Sequence, residues 1–207
     1  MRAVLISACP VQPEMKRYLR PEDWVVACDA GYRNCQTLQI QPNMVVGDFD
    51  SAPQPEWGQV IALPAEKDDT DTHYAARMAL QKGCDEVLML GALGGWRLDH
   101  TLANLATALY LAEQGAAVLL ADEHTEVRIL LAGQHLELSR EDWGYFSLFP
   151  IGGKAEGVTL HGAYYPLDDA VLEADMPLGV SNAFAAETVQ ISLKRGSLVV
   201  FCTKKEP

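Results

Sequence analysis

Basic residues are scarce in this chain. Its 16 Lys and Arg stand against 28 Asp and Glu, a formal charge of −12, so it lacks the positive footprint that nucleic acid or an anionic membrane surface requires. Any anionic ligand must be met by a metal ion or by a few local Arg and Lys side chains. Long apolar runs are also missing, since none approaches the roughly 20 residues of a membrane-spanning helix. Met1-Arg2 leads into a brief apolar run, Ala3 to Ala8, too short and too weakly charged at its start for a secretory signal, so the cytoplasm is the expected location. The five cysteines (Cys9, Cys28, Cys35, Cys84 and Cys202) are odd in number and without CxxC spacing. That pattern fits neither a disulfide framework nor a zinc site, and reduced thiols are expected. There is no internal repeat and no low-complexity segment.

What is present is a globular composition, 207 residues with 49% hydrophobic side chains, enough for one large domain or two smaller ones. Short apolar runs recur through the first part: Ala3-Val4-Leu5-Ile6, Trp24-Val25-Val26-Ala27, Met44-Val45-Val46, Val60-Ile61-Ala62-Leu63, Val87-Leu88-Met89-Leu90 and Ala117-Val118-Leu119-Leu120. Runs apolar at consecutive positions suit strands buried on both faces, and helical spacing between them predicts an α/β domain with a mostly parallel, Rossmann-like sheet. Thr72 to Lys82 and His100 to Gln114 read as helices ending at Gly83 and Gly115, where a missing Cβ permits a left-handed cap. Leu102, Leu105, Ala106 and Leu109 form an apolar stripe expected to pack in the core. After Asp122-Glu123-His124-Thr125 the segments become short and β-type, among them 128–131, 145–149, 158–160, 189–193 and 198–201. A small all-β, sandwich-like C-terminal domain is expected, with domains of 1–124 and 125–207. Arg195-Gly196-Ser197 reads as a hairpin between the last two strands.

The most informative stretch is Gly47-Asp48-Phe49-Asp50-Ser51, because it sets two carboxylates at i and i+2 directly after an apolar run. Two carboxylates a few ångström apart repel by roughly 4 kcal/mol at an effective dielectric near 20, so a divalent metal is the simplest compensating cation. An Asp-rich turn satisfying its own backbone donors is the alternative. A second acidic cluster, Glu66-Lys67-Asp68-Asp69-Thr70-Asp71, opens the helix at Thr72, with Asp69 or Thr70 as N-cap. A third motif, Gly91-Ala92-Leu93-Gly94-Gly95-Trp96-Arg97-Leu98-Asp99-His100, follows a strand. Its glycines let backbone amides approach phosphate oxygens, and Arg97 supplies a planar donor fork. Loops that each follow a strand of one parallel sheet converge on the same edge.

In order, these motifs resemble the thiamine pyrophosphokinase family: GDFDS at 47–51, KDDTD at 67–71, Gly-Gly with Arg-x-Asp-His ending at His100, and Ser181-Asn182-Ala183-Phe184 before a terminal hairpin. Cys28-Asp29-Ala30-Gly31 is similar to the family's Asp-Gly-Gly element. Two local features differ from the pattern, Trp96 between the glycine pair and the arginine, and Ala185-Ala186-Glu187 where a glycine is expected. The resemblance implies pyrophosphoryl transfer from ATP to the hydroxyl of thiamine, giving thiamine diphosphate and AMP. It also implies Mg²⁺ held by Asp48, Asp50 and Asp71, with Asp99 as a further catalytic carboxylate. Asp29, Lys67, Thr70, Gly94, Gly95 and Arg97 would contact ATP and its phosphates, and Ser181 and Asn182 the thiamine. The 1–124 domain would then be catalytic and the 125–207 domain would bind thiamine and dimerise, in a homodimer with shared active sites. From the residues alone three alternatives stay open: a pyrophosphokinase for another heterocyclic alcohol such as a hydroxymethyl pterin, a metal-dependent phosphohydrolase, and a non-catalytic nucleotide or thiamine sensor.

Overall fold

A computed structural model describes residues 1–49, 59–64 and 68–205. Its contacts divide the chain into two units, Met1–Glu123 and His124–Pro207.

In the first unit the expected runs form strands β1 (Arg2–Ile6), β2 (Trp24–Cys28), β3 (Met44–Gly47), β4 (Gln59–Ala62), β5 (Glu86–Leu90) and β6 (Ala117–Ala121). They lie in the order β4-β3-β2-β1-β5-β6, every pair parallel. The order reverses between β1 and β5, which is where parallel sheets of this kind open a crevice at their carboxyl ends. Alternate strand residues Val4, Ile6, Val25, Ala27, Val45, Leu88 and Leu90 build one buried cluster with Met15, and with Tyr32, Cys35 and Leu38 at helix α1 (Tyr32–Thr37). A buried pair, Arg2 Nη2 to Asp23 Oδ2 at 2.7 Å, fastens β1 to the segment entering β2.

Helices α2 (Asp71–Gln81) and α3 (Leu98–Glu113) end at Gly83 and Gly115, whose φ angles of 83° and 89° supply the expected left-handed caps. Thr70 is the N-cap of α2, its hydroxyl accepting from His73 N at 3.1 Å. The leucine stripe of α3 is not in the core of this unit. The buried face carries Asn104, Thr107, Ala108, Leu111 and Ala112, whereas Leu102 is 66% exposed. The two stripes are offset by two residues, roughly 200° around the helix. Small side chains let the helix lie close to the sheet, and Asn104 Nδ2 donates to Ala92 O at 2.8 Å, so a buried polar residue takes a place that hydrophobicity alone would give to leucine.

The second unit is entirely β. Strands β7 (Thr125–Leu131), β9 (Tyr145–Pro150) and β13 (Ser197–Thr203) pair antiparallel with β13 in the middle. A four-stranded antiparallel sheet has the order β11-β10-β12-β8, from β8 (His135–Ser139), β10 (Ala155–His161), β11 (Leu167–Leu172) and β12 (Thr188–Ser192). Residues of both sheets, among them Leu148, Val200, Leu160 and Ile191, share one buried cluster. Strands β12 and β13 do not form the expected hairpin. The Gly196 turn, at φ 82°, passes the chain from one sheet to the other, and Arg195 bridges to Glu156 instead.

Gly31 marks where the first unit tolerates no side chain, because a Cβ there would stand 1.9 Å from Ile6 O. Replacing Gly31 with Ala should lower stability by about 3 kcal/mol, the upper range for overpacking, as measured by urea denaturation. An unfolding midpoint equal to that of the parent chain would contradict this packing.

Candidate active site

The strand ends place three carboxylates together. Asp29 follows β2, Asp48 follows β3 and Asp71 begins α2. One carboxylate oxygen from each lies within 4.8 Å of the other two, and all three residues are half-buried. Local backbone makes the approach possible. A Cβ on Gly47 would sit 2.9 Å from Asp29 Cα, so the glycine of the GDFDS motif allows the end of β3 to draw up against the turn that carries Asp29. Asp29 and Phe49 have φ angles of 47° and 56°, a left-handed conformation uncommon outside glycine and concentrated at functional turns.

Three carboxylates offer an oxygen-only donor set, which suits a hard divalent ion such as Mg²⁺. Cys28 supplies no competing thiolate, because burial and the nearby Asp71 push its thiol well above the usual range.

Of the residues expected in the metal site, Asp48 and Asp71 come together, while Asp50 lies outside the described residues, as does Lys67. Asp29, expected at the nucleotide, completes the cluster. Its sequence signal was its setting, for Asp29 and Asp48 each follow a strand that ends near a glycine. Thr70 caps α2.

The Gly-rich motif follows β5, beside the loop after β1. Ser7 N donates to Leu90 O at 2.8 Å and Cys9 N to Gly91 O at 3.0 Å. Asn34 of α1, buried and unnoticed in the sequence, braces this junction, its amide donating to Ser7 O and Cys9 O at 2.7 Å each. Gly94 and Gly95 are exposed, with φ of 71° and 80°. Arg97 does not stand apart from the acids. Its Nη2 lies 2.6 Å from Asp99 Oδ2 and its Nε 3.0 Å from Oδ1, an exposed two-point pair at the start of α3. This hydrogen bonding holds the Asp99 carboxyl down at about 2. Trp96 is fully exposed beside it.

In the β unit, Ser181 is exposed with φ 58°. Asn182 is 4% exposed, and its side chain is committed to backbone: Oδ1 accepts from Tyr165 N at 3.0 Å and from Ala183 N at 2.9 Å, while Nδ2 donates to Tyr165 O at 2.8 Å. Asn182 thus braces the loop that displays Tyr164 and Tyr165, both largely exposed.

Comparison with known proteins adds a separate line of evidence. The family model described as "Thiamin pyrophosphokinase, catalytic domain" matches residues 15–120. A second, "Thiamin pyrophosphokinase, vitamin B1 binding domain", matches residues 134–198. The chain is 27% identical over 195 residues to thiamine pyrophosphokinase of Bacillus subtilis (strain 168), covering 91% of each sequence. It resembles the crystal structure of the Bacillus subtilis thiamine pyrophosphokinase with a TM-score of 0.88 at 22% identity, over 100% of both chains. The corresponding figures for the Geobacillus thermodenitrificans enzyme are 0.85 and 25%, over 100% of this chain and 99% of that one.

The Arg97–Asp99 pair predicts a titration. Because the folded carboxyl is depressed, the charged pair is complete at neutral pH and is lost only as pH falls through about 2. In Arg97→Gln the Asp99 midpoint, followed by NMR, should return to about 4. A wild-type midpoint already at that ordinary value would contradict the pair.

Proposed function

The chain belongs to the thiamin pyrophosphokinase family, and from that premise we propose how its residues divide the work. The activity is transfer of the pyrophosphoryl group of ATP to the hydroxyl of thiamine, giving thiamine diphosphate and AMP. The observation that carries the assignment is that both the catalytic and the vitamin-binding family models match, in order, along one chain. The second match favours thiamine over another heterocyclic alcohol, and a sensor or a hydrolase has no comparable support.

In this proposal Asp29, Asp48 and Asp71 hold Mg²⁺, a role supported by their mutual approach within 4.8 Å, and Asp50 joins them from the same motif. Bound there, the ion would neutralise phosphate charge and help align the β-phosphorus with its acceptor. Phosphoryl transfer asks the protein mainly for positioning and charge stabilisation. The amides of the Gly94–Gly95 turn would approach phosphate oxygens, with Lys67 and Thr70 alongside. Asp99 takes the Nε and Nη2 edge of Arg97, and the Nη1 side of the guanidinium would meet phosphate. Asp99 thereby aims the arginine as well as adding a carboxylate to the site.

For the vitamin, we assign contact to Ser181 and to the Tyr164–Tyr165 loop that Asn182 braces, a role supported by the exposure of both tyrosines. A cytoplasmic homodimer with shared sites completes the proposal. Trp96, Leu98 and Leu102, exposed in sequence proximity, are the kind of apolar surface that association covers. No described helix is long and apolar enough to cross a membrane.

Incubation with ATP, Mg²⁺ and thiamine, read by mass, should yield AMP and thiamine diphosphate in equal amounts. Phosphate release without a diphosphorylated vitamin would overturn the assignment. Asp48→Asn and Asp71→Asn should each cut turnover by roughly 100-fold or more while the circular dichroism spectrum is unchanged. A folded variant with undiminished activity at limiting Mg²⁺ would remove that residue from the metal site. Sedimentation should give twice the chain mass.

A further inference from the structure

The face that α2 turns to the sheet is lined by methyl groups, Ala75, Ala76 and Ala79, except at its first turn. There Thr72, 7% exposed, brings its hydroxyl oxygen to 2.9 Å from that of Ser7, which is 6% exposed and directly follows β1. Burying two hydroxyls where methyl groups would pack is unfavourable unless they bond each other, and breaking such a pair leaves an unsatisfied polar group behind. The β-branched side chain restricts χ1, so the position of this hydroxyl follows closely from the backbone that carries it.

Ser7 is a firm anchor. Its amide donates to Leu90 O at 2.8 Å and its carbonyl accepts from Asn34 Nδ2 at 2.7 Å. Thr72 adjoins Asp71 in the first turn of α2. Its bond to Ser7 ties the turn that carries Asp71 to the end of a central strand.

We propose that Thr72 is a positioning residue for the acidic cluster, its hydrogen bond to Ser7 setting where Asp71 stands relative to Asp29. The proposal rests on the assignment of a divalent cation to that cluster. Mutual repulsion of the carboxylates would otherwise push the first turn of α2 outward, and the buried hydroxyl bond resists that displacement from behind.

The test is Mn²⁺ binding followed by electron paramagnetic resonance, with no nucleotide present, alongside thermal unfolding. Thr72→Val keeps the shape and removes the bond. Its dissociation constant for Mn²⁺ should rise about tenfold, the scale seen when groups that orient metal ligands are lost. Thr72→Ser should bind within about twofold of wild type, and Leu172→Ala, which destabilises the β unit, should bind Mn²⁺ normally. If Thr72→Val does not fold, Ser7→Ala removes the same bond from the strand side and should show the same weakening. Wild-type affinity in folded Thr72→Val, or in Ser7→Ala where that variant is the one used, overturns the proposal, as does equal weakening in Thr72→Ser and Thr72→Val. These outcomes leave the metal assignment standing so long as Asp71→Asn loses the ion. A wild-type protein that binds no Mn²⁺ overturns the metal assignment, and this inference with it.

Discussion

Mutual repulsion among Asp29, Asp48 and Asp71 is the constraint around which the first domain is organised. Within 4.8 Å of one another, each pair of unit charges costs at least about 3 kcal/mol at an effective dielectric near 20. Loops alone would relax such an arrangement. Here Asp29 and Asp48 are fastened to the ends of parallel strands whose residues are buried on both faces, and Asp71 to a helix packed over β1, β2 and β3. In the proposed metal site the charge that the sheet holds in place would be the charge that recruits the cation, and the apolar strands would then serve the site as directly as the carboxylates do.

Much of this architecture could be read from the residues. All six apolar runs of the first domain are strands, and in β1, β2, β3 and β5 consecutive apolar residues are buried as a strand covered on both faces requires, whereas β4 at the edge is half-exposed. The helix caps were equally plain at Gly83 and Gly115, where left-handed backbone requires the missing Cβ. The face of α3 was not readable. Leucines mark where a helix could be buried, but which face meets the sheet was decided by how closely Ala108 and Thr107 allow approach and by the partner that Asn104 finds at Ala92. Strands β8 and β11 passed unnoticed since β8 offers only Leu136 and Leu138, and in β11 Asp168 and Asp169 interrupt the apolar residues, so neither is locally distinct from a loop. Gly196 announced a turn correctly, yet no local signal says whether the chain leaving a turn rejoins its own sheet.

For the candidate site, Asp29 and Asp48 follow strand ends and gather at one edge of the sheet with Asp71, and the parallel order explains why: one end of every strand faces the same way. Which side chains come together depended on backbone geometry that the motifs do not state. Asp29 joins the acids through the close approach at Gly47, and Arg97 engages Asp99 two residues away. Asn182 turns inward to the Tyr165 backbone while its neighbour Ser181 stays at the surface. A motif names the residues of a loop, and backbone conformation then decides which of them face the ligand.

The left-handed backbones at Asp29, Phe49 and Ser181 also bear on how this enzyme can change over generations. Glycine at any of the three would relieve local strain, so a laboratory selection for heat resistance alone would be drawn to these codons. At position 29 that drift would delete a carboxylate and at 181 a hydroxyl. Under the proposed roles of Asp29 and Ser181, robustness and turnover would pull those two codons in opposite directions, and lineages that keep the activity would have to seek thermal tolerance elsewhere, in helix surfaces and β-turns remote from the strand ends.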